Sequence, residues 1–244
     1  MTKIALGGLG DFLQVSSSAQ KEKEIILYTH SGQAGIKYFT DLGVTIVRSE
    51  LFWRVDDLPS LDIDWSNLLT RDYFDKTGCL KAFELSAEKE KYDLAIHPFG
   101  SYYSMHHDKV HAKNIGKNFS RDLIENILNL STDKKTILLG TPQELVNYKD
   151  LRAKYGITIK ETSIWDAIKI CCEADSFIGA DSFLKTVRGI YTDNKKQTIV
   201  AVESKADSFR DLNFINPYLD RINFVYYNSV EDLSYKIVEQ IKAI

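Results

Sequence analysis

Three groups of residues in this chain have the types and spacing to bind a ligand or to move a proton. The first is the segment 7–11, Gly-Gly-Leu-Gly-Asp, directly after a short apolar segment. Glycines at that point let the backbone approach a ligand closely. The Asp11 carboxylate could accept a proton from a hydroxyl group or could cap the following helix. The G-x-G-x-x-G spacing of a dinucleotide site is not met, because two apolar residues follow Asp11.

The second group is the segment 179–182, Gly-Ala-Asp-Ser, with Lys185 three residues further on. It lies where an apolar strand pattern changes to a helical one. Backbone N–H groups at such a junction, together with the Ser182 hydroxyl and the Lys185 charge, could hold a phosphate group. Simple helix capping by Asp181 and Ser182 is the alternative.

Isolated polar residues form the third group. Lys117 is a second candidate phosphate partner, and Glu144 could bind a ribose diol. Glu144 also closes a capping box that starts at Thr141, which explains it equally well. Zinc-binding histidines usually lie on regular elements together with a further carboxylate or cysteine. The histidines that follow residue 100 lie in a polar loop, so we predict no metal site and a solvated or substrate-facing loop.

Hydrophobic periodicity indicates alternating strands and helices, which favours parallel βαβ units. Residues 48–76 have no clear period and are predicted to be irregular. The predicted strands cover 3–6, 24–28, 44–47, 92–97, 136–139, 157–160, 176–178 and 198–202. The predicted helices cover 11–20, 32–42, 83–91, a segment capped by Ser120, 141–156, a segment capped by Ser163, a segment after Ser182, and 229–244.

The elements fall into two blocks, 1–90 and 91–244. We expect the last helix, 229–244, to pack back across the junction between them. No repeat of solenoid period is present, so the sequence predicts an α/β protein with two Rossmann-like domains.

Composition limits the function classes. The 244-residue chain has a net charge of −3 and a pI of about 6.0, which does not indicate a nucleic-acid partner. Its three cysteines show no metal or disulfide spacing. No secretory signal pattern and no apolar run of about 18 residues is present, so we expect no membrane span and a cytoplasmic location.

Taken in order, six segments resemble motifs of the family 9 glycosyltransferases, typified by the bacterial lipopolysaccharide heptosyltransferases. The segments are Leu9-Gly10-Asp11 with the helix from Gln14 to Ala19, 96–101 (Ile-His-Pro-Phe-Gly-Ser), 117–120 (Lys-Asn-Phe-Ser), 138–140 followed by Glu144, 162–164 (Thr-Ser-Ile), and Ala174-Asp175 to Asp181-Ser182.

The resemblance implies a GT-B architecture, in which an N-terminal domain receives the acceptor and a C-terminal domain holds a nucleotide-diphosphate sugar. It implies inverting transfer to an acceptor hydroxyl without metal or cofactor, with Asp11 as the general base. The acceptor side of the cleft would contain Gly8, Gly10, Gln14, His97 and Ser101. The donor would contact Lys117, Glu144, Thr162, Ser163, Ile164, Asp181, Ser182 and Lys185. The sugar, base, acceptor and oligomeric state stay open.

Two departures from the family pattern leave an alternative. The first block is shorter than the family's acceptor domain. After Asp181-Ser182 the family has Gly-Pro-x-His, whereas this chain has Phe183, Leu184, Lys185 and Thr186. The alternative is a non-catalytic nucleotide-binding or assembly protein that retains the fold. A nucleotide-sugar epimerase or dehydrogenase is a third reading, which the glycine spacing disfavours.

Overall fold

The computed structural model of the protein describes residues 3–6, 25–29, 45–48, 90–100, 118–192, 196–203 and 222–242. The chain divides into two compact units. One comprises Met1–Glu84 with Phe214–Pro217, and the other comprises Leu85–Asn213 with Tyr218–Ile244. The acceptor and donor roles expected of residues 1–90 and 91–244 remain predictions.

The first unit contains a parallel sheet of three strands in the order β1-β2-β3. The strands are β1 (Lys3–Leu6), β2 (Ile25–Thr29) and β3 (Thr45–Arg48). All three were predicted from their apolar runs. The predicted irregular segment 48–76 begins at Arg48, which the structure places in β3. The rest of that segment and the helices predicted at 11–20 and 32–42 lie outside the described residues.

The second unit alternates strands and helices around a larger sheet. In chain order its elements are β4 (Leu94–His97), α1 (Arg121–Leu130), β5 (Thr136–Gly140), α2 (Pro142–Leu145), α3 (Leu151–Tyr155), β6 (Thr158–Glu161), α4 (Ile164–Glu173), β7 (Ser176–Ala180), α5 (Phe183–Tyr191), β8 (Gln197–Glu203), β9 (Asn223–Tyr227) and α6 (Val230–Lys242).

Every neighbouring pair in this six-stranded sheet is parallel, and the strand order is β6-β5-β4-β7-β8-β9. The chain runs from β4 through β5 to β6 at one edge of the sheet. It then crosses back to β7, beside β4, and continues through β8 to β9 at the other edge. This is the doubly wound order of dinucleotide-binding folds, and its direction reverses between β4 and β7. The predicted α/β class is confirmed.

Both faces of the sheet are covered, as expected for parallel strands. All five residues of β5 and all five of β7 are buried. One face packs against α1 and α6, which also contact each other. The buried side chains of these two helices recur at helical spacing: Leu123, Ile124, Ile127, Leu128, Leu233, Ile237 and Ile241. Packing of α6 across the domain junction remains a prediction.

The single helix predicted over 141–156 is wrong: two short helices, α2 and α3, are separated by a turn. The turn is stabilised from outside, because the Arg121 guanidinium donates to the Asn147 carbonyl at 2.7 Å and pairs with the Asp150 carboxylate. Gly156 ends α3 in the left-handed conformation with φ 67°, as its position after the helical pattern predicts.

Two further expectations differ from the structure. The predicted helix 83–91 reaches the described residues only at Glu90 and Lys91, which are not helical. They instead lead into β4, where Lys91 pairs with Asp175 at 2.8 Å. Strand β9 was not predicted. It lies at the edge of the sheet, with Val225 and Tyr227 buried and Phe224 and Tyr226 half-buried.

Candidate functional site

The site is organised by the two central strands, β4 and β7. They pair in register, with Ile96 opposite Ile178 and His97 opposite Gly179, so both strands end at the same edge of the sheet. In open α/β sheets a ligand binds beyond the carboxyl ends of the strands at the point where the strand order reverses. The segments after His97 and after Ala180 therefore form the candidate site.

Gly179 allows the backbones to approach closely at this edge. A Cβ atom placed on Gly179 would lie 2.6 Å from the Phe177 ring and 3.0 Å from the His97 carbonyl oxygen. Any larger residue would force these groups apart. The glycine of the 179–182 segment is therefore explained by packing at the strand pair.

Ser182 directly precedes helix α5, but its side chain does not cap the helix. Its backbone is extended, with φ −140° and ψ 176°, and its buried Oγ has no hydrogen-bond partner among the described residues. The described hydroxyls of Ser120, Thr141, Ser163 and Ser229 each accept a bond from a first-turn N–H group of their own helix. Ser182 thus places an unsatisfied hydroxyl at the start of a nine-residue helix, at the carboxyl end of β7.

Asp181, the residue before Ser182, forms an ion pair with Lys185 in the first turn of α5. The Lys185 ammonium lies 2.5 Å from Asp181 Oδ1, and only 22% and 23% of the two side chains are exposed. Burial raises the pKa of Tyr226 on β9, and the Asp181 charge adds to this rise. This pair therefore places a positive and a negative charge in a partly desolvated position at the start of α5.

His97 at the end of β4 is the second described residue with a buried, unpartnered polar atom, its Nδ1. Its ring packs edge-on against the Phe99 ring, with centroids 5.8 Å apart at 89°. Burial lowers the pKa of His97 to about 4. The imidazole is therefore neutral near pH 7 and has one donor and one acceptor nitrogen.

Asn118 holds the turn that follows His97. The Gly100 N–H group donates to Asn118 Oδ1 at 2.8 Å, and the Phe119 N–H group donates to the Pro98 carbonyl at 2.9 Å. These bonds bring residues 118–119 to the carboxyl end of β4. The sequence reasoning did not single out Asn118, although an asparagine that binds nearby backbone is common at loop ends.

Glu144 and the segment 162–164 lie at the same edge, after β5 and β6. The Glu144 carboxylate accepts bonds from the Thr141 N–H group at 2.8 Å and from the Thr141 hydroxyl at 3.0 Å, so the predicted capping box is confirmed. The Thr162 N–H group donates to the Gly140 carbonyl, and Ser163 caps α4, which begins at Ile164. Ribose and nucleoside contacts by these residues remain predictions.

Six of the predicted site residues fall outside the described residues. They are Gly8, Gly10, Asp11, Gln14, Ser101 and Lys117. Ser101 and Lys117 are adjacent in sequence to Gly100 and Asn118, which the structure brings together. The assignment of Asp11 as general base remains a prediction.

Arg188 anchors α5. It was not identified from the sequence, because an arginine in a helical segment is normally exposed. Its side chain is fully buried. The guanidinium donates to the carbonyls of Cys171 (2.6 Å), Ala174 (2.7 Å), Asp175 (3.0 Å) and Gln197 (3.1 Å), and to the Thr198 hydroxyl (2.9 Å). It therefore satisfies carbonyls at the end of α4 and fixes α5, whose first residues form the site.

The described residues contain no group of three or more His, Cys, Asp or Glu side chains that could hold a metal ion. A search of the same residues finds no helix long and apolar enough to cross a membrane.

The strand order and the polar groups at its reversal point define a Rossmann-type α/β protein. No family model matches the chain, and a search of curated proteins also gives no match. Solved structures do match over the whole chain. The E. coli ADP-heptose lipopolysaccharide heptosyltransferase II has a TM-score of 0.51 at 11% identity, and 98% of its chain is covered.

Two structures of E. coli heptosyltransferase WaaC match as well. The structure with ADP has a TM-score of 0.57, with 97% of its chain covered, and the structure with ADP-2-deoxy-2-fluoro heptose has a TM-score of 0.56, with 99% covered. Both are 9% identical to this chain and cover all of it. The predicted resemblance to the heptosyltransferases is thereby confirmed at the level of the fold.

Proposed function

We propose that this protein is a glycosyltransferase that moves a sugar from a nucleotide-diphosphate donor to an acceptor hydroxyl, with inversion and without a metal ion. The observation that carries the proposal is the buried hydroxyl of Ser182, which has no hydrogen-bond partner in the part of the chain that the structure describes. It lies at the start of α5, at the reversal point of a fold shared with heptosyltransferases. A diphosphate would satisfy that hydroxyl and would gain from the partial positive charge of the helix start.

The chemistry requires a stabilised leaving group and a base. Negative charge develops on the departing nucleoside diphosphate, and fixed positive potential at its site lowers the barrier. We assign this role to the start of α5, Lys185 and Lys117. Asp11 would take the proton from the acceptor hydroxyl, Glu144 would contact the ribose, and residues 162–164 would lie near the nucleoside. The two-domain GT-B cleft and a cytoplasmic location are parts of the same proposal.

The first test is a thermal-shift measurement with the diphosphates of adenosine, guanosine, uridine and thymidine in excess EDTA. A ligand at 100 times its Kd stabilises the native state by about 2.7 kcal/mol. For a chain of this length we expect a rise in Tm of about 5 to 10 °C. If none of the four nucleotides shifts the Tm, the proposal is wrong. A shift only when a divalent ion is added would refute metal independence.

The second test is catalytic. Sugar nucleotides carrying the base selected by the first test are assayed for hydrolysis and transfer. We expect Asp11→Asn to abolish transfer and to leave nucleotide binding unchanged, with Asp133→Asn at an exposed position as the matched control. Full activity in the Asp11→Asn variant would overturn the base assignment.

A non-catalytic nucleotide-binding protein is the second candidate, and one observation favours it. Thr186 stands where the family motif has histidine, and its side chain is buried, so it does not reach a ligand as an exposed histidine would. Nucleotide binding without turnover of any donor, across a broad panel of acceptors, would select this candidate.

A further inference from the structure

The ion pair between Asp181 and Lys185 lies where the proposed donor diphosphate would bind. The two side chains are one helical turn apart and largely covered, and Lys185 Nζ lies 2.5 Å from Asp181 Oδ1. The carboxylate precedes Ser182, whose buried hydroxyl lacks a partner among the described residues. A phosphate bound at the start of α5 would therefore lie within about one helical turn of both a cation and an anion of the protein.

These two charges act in opposite directions on a bound anion. The ammonium attracts a phosphate, but in the structure it already pairs with the Asp181 carboxylate, which compensates its charge. The carboxylate repels a phosphate, and at a position with little solvent this repulsion is less screened than at an open surface. A diphosphate can gain the whole attraction of Lys185 only by displacing the carboxylate from it.

We propose that Asp181 is an internal competitor of the donor diphosphate: it holds the Lys185 ammonium in the empty site and yields it to the phosphate in the filled site. This inference rests on the proposed function and adds a role for Asp181. A competitor already in place weakens binding of the diphosphate, and it recaptures Lys185 when the nucleoside diphosphate leaves after transfer. Asp181 thereby sets the affinity of the site and favours release of the product.

A purely structural role for the pair makes a different prediction. If Asp181 only braced the first turn of α5 or oriented Lys185, its removal would weaken binding or leave it unchanged. The chain offers a matched control pair on α6, where Lys236 and Asp232 have the same residue types and spacing at 2.9 Å. That pair lies on a different helix and has no part in the proposed donor site.

The experiment is calorimetric titration of the four nucleoside diphosphates and of inorganic pyrophosphate, in EDTA, at two salt concentrations. The variants are Asp181→Asn, Lys185→Gln and their combination, with Asp232→Asn and Lys236→Gln as controls. We expect Asp181→Asn to tighten binding by about 3- to 30-fold, and Lys185→Gln to weaken it by about 10-fold or more. The gain from Asp181→Asn should be smaller in the Lys185→Gln background and should decrease at the higher salt concentration.

The outcomes separate this inference from the proposed function. If the wild-type protein binds a nucleoside diphosphate and Asp181→Asn weakens that binding or leaves it unchanged, the competitor role is overturned and the donor site stands. Equal tightening by Asp232→Asn would also overturn it, because the effect would then be one of net charge. If a probe binds to the Asp181→Asn variant but not to the wild-type protein, the result would support the competitor role. If no probe binds any variant, the donor site and the competitor role both fail. Asp181→Ser serves as the second variant if Asp181→Asn does not fold.

Discussion

Replacing Ser182 with alanine tests the reading of the site through stability as well as binding. Removing an N-cap serine normally costs about 1 kcal/mol, because a first-turn N–H group loses its acceptor. Ser182 makes no such bond, and its buried hydroxyl has no partner among the described residues. A buried hydroxyl without a partner costs about 1 to 3 kcal/mol. We therefore expect Ser182→Ala to raise the free energy of unfolding of the empty protein, by about 1 kcal/mol.

The matched control is Ser120→Ala on α1. Ser120 Oγ accepts a bond from the Leu123 N–H group at 3.2 Å, so its loss should lower the free energy of unfolding by about 1 kcal/mol. Relative to the wild type, the two substitutions should change the free energy of unfolding in opposite directions. The two variants should therefore differ in this free energy by about 2 kcal/mol. The assay is urea unfolding followed by circular dichroism, with the comparison made on the transition of the second unit.

For binding of a nucleoside diphosphate, we expect the Ser182 variant and not the Ser120 variant to be impaired. A hydrogen bond to a charged phosphate contributes about 1.5 to 3 kcal/mol, so Ser182→Ala should weaken nucleoside diphosphate binding by about 10- to 100-fold. Ser120→Ala should bind as the wild type does. If Ser182→Ala destabilises the empty protein as much as Ser120→Ala does, the hydroxyl is an ordinary cap and the reasoning is refuted.

Two other predictions concern the support of the site. Arg188→Met should lower the free energy of unfolding by about 3 to 5 kcal/mol, because it leaves several buried carbonyls without donors. The control is Arg152→Met at an exposed position, which should change this free energy little in the same urea assay. A loss below about 1 kcal/mol for Arg188→Met would contradict this role. Because burial lowers the pKa of His97 to about 4, the unfolded chain binds more protons than the folded chain between that value and 6.5. The free energy of unfolding should fall by about 2 kcal/mol from pH 7 to pH 5, and a His97→Gln variant with an unchanged pH profile would show that His97 is not the cause.

The alternation of strands and helices could be predicted because its signals are local. The apolar runs of β5 and β7, the capping box that begins at Thr141 and the N-cap at Ser163 depend only on neighbouring residues. Their order along the chain was enough to predict a parallel α/β protein.

The elements that were missed depend on contacts between distant parts of the chain. The break between α2 and α3 is stabilised by Arg121 on another helix. Strand β9 is a different case, because its aromatic and β-branched run at 224–227 is a local strand signal that the predicted strands did not include. The strand order, which places the ends of β4 and β7 together, is not encoded by any local pattern.

The candidate site shows the same division. Asp181, Ser182 and Lys185 could be selected from the sequence, because a polar strand-to-helix junction is a local feature. The i,i+4 spacing of Asp181 and Lys185 is likewise local and permits their ion pair. The sequence could not show that Ser182 leaves its own helix uncapped, or that Arg188 further along the same helix is buried. These properties come from tertiary packing.

The most direct test of the central claim is a crystal structure of the protein grown with the nucleoside diphosphate that gives the largest thermal shift, in EDTA. We predict that the diphosphate lies beyond the carboxyl ends of β4 and β7, with a phosphate oxygen within hydrogen-bonding distance of Ser182 Oγ and the first amides of α5. A diphosphate bound elsewhere, with Ser182 Oγ still lacking a ligand contact, would contradict the claim.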